Sequence, residues 1–228
     1  MLLRIPGLLS PDQVAHCRES LTGAAWADGR ATAGAQSGLA KHNLQVPEDA
    51  PQAKALGELI LAALAANPAF MSAALPLKVF PPLFNRYGAG MGFADHIDNA
   101  VRVSAATGAR YRTDLSCTVF LSGPDEYDGG ELVIEAGGLT PARVKLSAGD
   151  AILYPATTVH RVDPIVRGER WAAFFWVQSM VRSDEQRALL CKMDTAIADA
   201  RAALSDDHPS VIALTGAYHN LIRMWAEV

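Results

Sequence analysis

The sequence predicts a mainly β fold, a sandwich or barrel, with helices on both flanks. Two observations carry that reading. Between residues 77 and 182 the chain runs in short β-branched or aromatic segments, "LKVFPPLFNRY", "DLSCTVFLS", "GGELVIEA", "ARVKLSAGDAILYP" and "RWAAFFWVQSMV", separated by Gly, Pro and Asp turns. Strands this short, with no helical stretch between them, argue against βαβ units. Before and after that region, apolar residues recur at helical spacing instead. The 228 residues are half hydrophobic and 19% charged, enough for a sizeable core. The chain divides into an N-terminal helical flank of the core (1–76), a β domain (77–182) and a small C-terminal helical domain (183–228).

The N-terminal flank opens with "SPDQVAHCRESL", where Ser10 is placed to cap, Pro11 takes the first helical position and Gln13 completes a capping box. Val14, Cys17 and Leu21 follow on one face. A second helix covers about 51–66, with Leu56, Ile60 and Leu64 on its apolar stripe. "NPAF" (67–70) ends it, because Pro68 disfavours helix in the residue before it. The stretch between, 28–46, is rich in Gly, Ala and polar residues and reads as loop or edge strand. Within the β region the Gly-Gly of "YDGGELVIE" signals a hairpin. Ser183 and Gln186 then open a helix bearing Leu190, Met193 and Ile197. Asp206 or Asp207, with Pro209, opens a last helix whose stripe is Val211, Leu214, Tyr218, Leu221 and Trp225.

A net charge of −4 argues against a protein that lives on nucleic acid or anionic lipid. Cys17, Cys117 and Cys191 are scattered, which suits buried thiols in a reducing compartment and not a disulfide or zinc framework. The longest apolar run, residues 59–66, is too short to span a bilayer, and the N-terminus lacks the apolar region of a signal peptide. A cytoplasmic protein with no nucleic-acid or membrane partner is expected.

Chemistry gathers around "GFADHIDNAV" (92–101). In extended chain, side chains two apart point the same way, so His96 and Asp98 converge while Asp95 and Ile97 face elsewhere. His160 follows a strand and a Pro-containing turn, and leads into another strand. Two histidines and one carboxylate leave three positions open on an octahedral ion, the arrangement of non-haem Fe(II) oxygenases. One carboxylate leaves residual positive charge, which suits an anionic chelating cosubstrate. Arg170, ten residues beyond His160 in "RWAAFFWV", offers a planar fork for that cosubstrate's far carboxylate. Arg161 and Arg167 are nearer in sequence but lie in the turn-like region.

These residues resemble a known family. H-x-D, then G-G-E-L, then H-x-V-x-P with an arginine ten residues after the histidine, is similar to the prolyl 4-hydroxylase-like 2-oxoglutarate dioxygenases, and within them to the PKHD-type hydroxylases, a bacterial group associated with iron uptake. The stretches that carry it are "DGRATAGAQSGLAKHNLQ", "RYGAGMGFADHIDNAVR", "YDGGELVIE", "LYPATTVHRV" and "GERWAAFFWVQSMVR". The resemblance spans nearly the whole chain, including a C-terminal segment like that group's small extra domain. It implies a double-stranded β-helix (jelly-roll) core, with Fe(II) held by His96, Asp98 and His160 and the distal carboxylate of 2-oxoglutarate on Arg170. It also implies a hydroxylase that couples decarboxylation of 2-oxoglutarate to succinate with oxidation of a substrate C–H bond, and ascorbate as a reductant. Tyr87 matches a tyrosine lining the cosubstrate pocket in such enzymes. Relatives in the wider class often place a tyrosine hydroxyl near the position of Phe120, so a second partner for the carboxylate stays open.

Softer expectations attach to Ser116 and Thr118, which share a face with Phe120, to Trp176, which shares parity with Arg170, and to Asn43 and Gln45, whose amides could meet a substrate. The substrate is a small molecule or a peptidyl residue, and Leu221 and Trp225 could serve a homodimer. Two competing readings are an iron- and 2-oxoglutarate-binding sensor, and a non-redox cupin-like metal protein in which Arg170 is structural. An isolated His-x-Asp pair is common in loops; its conjunction with His160 and Arg170 is what makes it specific.

Overall fold

The computed structural model describes residues 1–228 apart from 33–37, 39, 106, 136 and 138–139. Part of the 28–46 stretch therefore lies outside the described residues. Among those described, the larger of two facing sheets has eight strands. Its order is β1 (Leu3–Ile5), β14 (Ala151–Pro155), β10 (Leu115–Phe120), β17 (Arg170–Ser179), β6 (Leu83–Tyr87), β4 (Leu44–Gln45) and β2 (Ala27–Asp28), with β5 (Pro76–Val79) also on β17. The second sheet runs β13 (Ala142–Val144), β12 (Leu132–Ile134), β15 (His160–Val162), β7 (Gly92–His96) and β3 (Lys41–His42). Two ribbons complete the set, β8 (Val101–Val103) with β9 (Arg110–Arg112), and β11 (Tyr127–Gly129) with β16 (Ile165–Gly168). All these pairings are antiparallel, as a jelly-roll requires.

Helix α1 (Pro11–Thr22) begins as its sequence dictates: Ser10 accepts from the Gln13 amide, and the Gln13 side chain accepts from the Ser10 amide. Helix α2 (Pro51–Ala65) buries Leu56, Ile60 and Leu64. "NPAF" does end α2, but it also starts a short helix, α3 (Pro68–Ala74), because the Asn67 side chain accepts from the Phe70 amide and Pro68 needs no donor at the first position. Helices α1 and α2 cover the outer face of the larger sheet. Alternation then splits its central strands cleanly. Leu115, Cys117 and Val119 of β10, and Trp171, Ala173, Phe175 and Val177 of β17, join the helices in one core. Ser116 and Thr118, with Arg170, Phe174 and Trp176, face a cavity between the sheets.

The hairpin read from "YDGGELVIE" does not form. Strands β11 and β12 on either side of the Gly-Gly pair with different partners in different sheets. Gly129 and Gly130 both take positive φ (72° and 69°), the freedom a hairpin turn would use, but here it lets the chain change sheets. A similar constraint fixes Gly168, two residues before Arg170: its φ is +77°, and a Cβ there would stand 2.0 Å from the Glu126 carbonyl oxygen. Gly168→Ala is expected to cost about 3–4 kcal/mol of unfolding free energy, read from urea denaturation curves. Gly108→Ala, at φ +70° but in open space, should cost only about 1–2 kcal/mol.

At the C-terminus, helix α4 (Asp184–Leu204) is capped by Ser183, which accepts from the Gln186 amide. Helix α5 (Pro209–Trp225) starts differently from expectation. Its cap is His208, whose ring Nδ1 accepts from the Ser210 amide at 3.2 Å, and not Asp206 or Asp207. Leu190, Ile197 and Tyr218 close a separate small core with Leu75 and Val181, and Leu221 and Trp225 pack half-buried against it. Leu214, expected on the same stripe, is exposed. Buried Arg187 ties α4 to the end of β17, donating to the Val181 and Arg182 carbonyls at 2.7 and 2.6 Å. No single described helix is long and apolar enough to cross a membrane.

Candidate active site

The two histidines meet because their strands pair: His160 on β15 sits directly across from His96 on β7. Their ring centres are 4.2 Å apart. Asp98 lies just past the end of β7, and its Oδ2 comes 3.7 Å from His160 Nε2. One ligand atom from each of the three residues falls within 4.8 Å of the others.

Both imidazoles are held in the same way. Nδ1–H of His96 donates to the Ala94 carbonyl at 2.8 Å, and Nδ1–H of His160 donates to the Thr158 carbonyl at 2.9 Å. A carbonyl only accepts, so the proton belongs on Nδ1 and the Nε2 lone pairs are left for a metal. Burial pushes the His96 imidazolium down from its ordinary range, and the neighbouring His160 reinforces this, keeping the ring neutral. Phe93 stacks on His96 with ring centres 3.6 Å apart. The Ser116 hydroxyl donates to Asp98 Oδ2 at 2.5 Å and aims the carboxylate. Asp95 faces outward, where it receives Arg161 at 3.3 Å, and it lies apart from the His96, Asp98 and His160 cluster.

Arg170 opens β17 on the same cavity, in register with Tyr87 of β6. It is 1% exposed, and among the described residues no carboxylate pairs with it. Its guanidinium carbon lies 5.0 Å from the Phe120 ring centre and 5.6 Å from that of Tyr87, and its Nε has no protein partner. A buried cation without an anion is costly unless a ligand supplies one. Burial raises the Tyr87 and Tyr127 phenols, and both stand close enough to Arg170 to feel its charge. Of the two, Tyr87 lines the cavity, while Phe120 brings Arg170 a ring without a hydroxyl. Arg161 and Arg167 pair outside with Asp163 and Asp128, both at 2.7 Å.

The cavity holds about 750 Å³ of empty space, counting its open mouth. Ser116, Thr118, Tyr87 and Trp176 line it as their parity requires, whereas Asn43 and Gln45 are buried outside its lining. Asn85, in register with Gln45, takes the wall position instead. Reading the sequence missed Asn85, Tyr154, Lys41 and Arg102, all of which line the cavity. Tyr154 was within reach of the alternation in "AILYP"; its ring meets His160 edge-on at 5.1 Å. Lys41 and Arg102 have no local signal, since only the fold brings their short strands to the cavity.

Two family models match the chain: the 2OG-Fe(II) oxygenase superfamily over residues 82–178, and the PKHD-type hydroxylase C-terminal domain over residues 184–227. A PKHD-type hydroxylase of Gluconobacter oxydans is 57% identical over 228 residues, covering 100% of both chains, and one of Methylobacterium nodulans is 58% identical over the same full extent. Among solved structures, a Pseudomonas putida prolyl-4-hydroxylase superposes with a TM-score of 0.54 at 19% identity, covering 78% of this chain and 92% of its own. That likeness bears on the fold, and identity over the full length bears on the family: the chain belongs to the PKHD-type hydroxylases, Fe(II)- and 2-oxoglutarate-dependent dioxygenases with a jelly-roll core.

Proposed function

We propose that His96, Asp98 and His160 hold the Fe(II) and that Arg170, with Tyr87 beside it, receives the distal carboxylate of 2-oxoglutarate. The observation that carries this is the pairing of a His-Asp-His cluster with a buried, unpaired arginine in one cavity. The donor set fits: two neutral imidazoles and one carboxylate suit a divalent ion and leave positions for a chelator and O2. When bound, the iron and its cosubstrate supply the oxidising chemistry that hydroxylates a C–H bond, with succinate and CO2 as the other products. The chain's own residues do the rest. Ala94 and Thr158 carbonyls orient the imidazoles, Ser116 orients Asp98, and Phe93 and Tyr154 wall the ligands from water.

The substrate is a small molecule or a peptidyl residue, and the net charge of −4 favours that over nucleic acid. Ascorbate is included as the reductant that keeps the iron divalent. Three free thiols fit a reducing cytoplasm, with burial raising Cys17 to about 11 and pushing Cys117 up further. Segments 1–76, 77–182 and 183–228 are proposed as flank, catalytic core and accessory domain, and Leu221 and Trp225 as the edge of a homodimer contact. Anaerobic Fe(II) with 2-oxoglutarate is expected to give a weak visible charge-transfer band, and admitting O2 should release succinate without added substrate. Folded protein with no band would overturn both the enzyme and the sensor reading; a band without succinate release would favour the sensor.

A further inference from the structure

Besides Arg170, one more buried polar side chain lines the active cavity with an atom unpaired: Asn85, in the middle of β6. Asparagine is disfavoured in strands, because its short carboxamide competes with the main chain for hydrogen bonds. Here it occupies a strand with neighbours on both sides, β17 and β4. It is 7% exposed, and its Oδ1 is buried with no hydrogen-bond partner. An unpaired buried acceptor destabilises the free protein, and a ligand that brings a donor removes that cost.

Alternation places the carboxamide. Phe84 joins the core under the helices, while Leu83, Asn85 and Tyr87 share the opposite face. Across β17 their register partners are Phe174, Ala172 and Arg170. Asn85 therefore stands beside the smallest of the three, whose methyl fills little of the space next to the amide. Other polar side chains of the wall have partners already. Ser116 is held on Asp98, Thr118 shares a hydrogen bond with Tyr154, and Lys41 and Arg102 are engaged within the chain. Gln45, in register with Asn85 on β4, is engaged too and lies outside the lining.

The chemistry of the group limits what can meet it. A carboxamide presents an acceptor and two donors side by side. The 2-oxoglutarate dianion carries acceptors only, so it leaves Oδ1 unpaired wherever it lies. Another amide carries both an N–H and a C=O, and so can pair with donor and acceptor together. Phe93, Phe174 and Trp176 on the same cavity suit an amide attached to an apolar body.

We propose that Asn85 is a specificity residue for the primary substrate, its carboxamide pairing with an amide group of that substrate, either a peptide bond or a carboxamide. The proposal rests on the iron and 2-oxoglutarate reading above and narrows the substrate class for that site.

The test uses full-length protein, anaerobic, with Fe(II) and saturating 2-oxoglutarate. The calorimetric probes are N-methylbenzamide and methyl benzoate, close in shape, of which only the first has an N–H. The charge-transfer band confirms in the same sample that the cosubstrate site is filled. Wild type should bind N-methylbenzamide at least tenfold tighter than methyl benzoate, and Asn85→Leu should bring that ratio below twofold. The variant should keep its 2-oxoglutarate affinity, read from the band, within threefold, and should unfold at the wild-type temperature or above. A smaller preference in wild type, or one that survives in Asn85→Leu, overturns the proposal while the band stands. A loss of 2-oxoglutarate affinity beyond threefold assigns Asn85 to the cosubstrate, and a lower unfolding temperature makes it a structural partner of Gln45. Either result overturns the proposal. Absence of the band in wild type overturns the underlying site reading, and this proposal with it.

Discussion

Asp98→Ala is expected to abolish 2-oxoglutarate turnover, by at least a thousandfold, and to weaken Fe(II) binding by about a hundredfold or more. Asp98 supplies the cluster's only carboxylate, and a histidine can give a metal only the Nε2 lone pair, since both Nδ1 atoms are committed to main-chain carbonyls. Without it a divalent ion would meet two neutral donors in a cavity that also faces Lys41 and Arg102. Those cations, tolerable while Asp98 is present, would then repel the metal. The fold should survive, since Asp98 lies beyond the end of β7 and its polar partners are Ser116 and His160. Equilibrium dialysis of iron and succinate release give the two readings. Retention of stoichiometric iron with normal turnover would remove Asp98 from the ligand set.

Arg170→Met should raise the 2-oxoglutarate concentration for half-maximal activity about thirtyfold or more, which follows from losing a buried charged contact worth about 2–5 kcal/mol. Its effect on the protein without ligands runs the other way. The wild-type chain holds this guanidinium 1% exposed, with no carboxylate partner among the described residues. Methionine of similar length removes that desolvation cost, so the ligand-free variant is expected to unfold at the same temperature as wild type or above it. A structural arginine would give the opposite pair of results, lower stability with an unchanged cosubstrate requirement. Calorimetric unfolding beside a 2-oxoglutarate titration separates the two.

The sequence shows most clearly what local periodicity encodes. The caps at Ser10 and Ser183, the stripe Leu56–Ile60–Leu64, and the alternation that puts Ser116, Thr118, Arg170 and Trp176 on one side of their strands all follow from nearest neighbours in the chain. The His-Asp-His cluster was legible for the same reason, as His96 and Asp98 are two apart and His160 and Arg170 fall at the ends of recognisable strands. What failed depended on partners distant in sequence. A Gly-Gly pair permits positive φ but does not say whether the chain folds back on itself or crosses to another sheet, and at Gly129–Gly130 it crosses. His208 took the cap that Asp206 and Asp207 were equally able to fill. Lys41 and Arg102 sit on strands of two and three residues, too short to show any period, and only the sheet arrangement makes them part of the cavity.

The central strands β10 and β17 carry site residues on one face and the helix-covered core on the other. Each position there answers to two requirements, so substitutions that altered the iron or cosubstrate chemistry would also have to preserve packing against α1 and α2. Strand β8 has no such second face: Val101 and Val103 are exposed, with Arg102 between them turned to the cavity. Evolutionary drift, or a directed library, can therefore vary the outward positions of this strand, Val101 and Val103, at little thermodynamic penalty. The reaction itself is inherited with the scaffold.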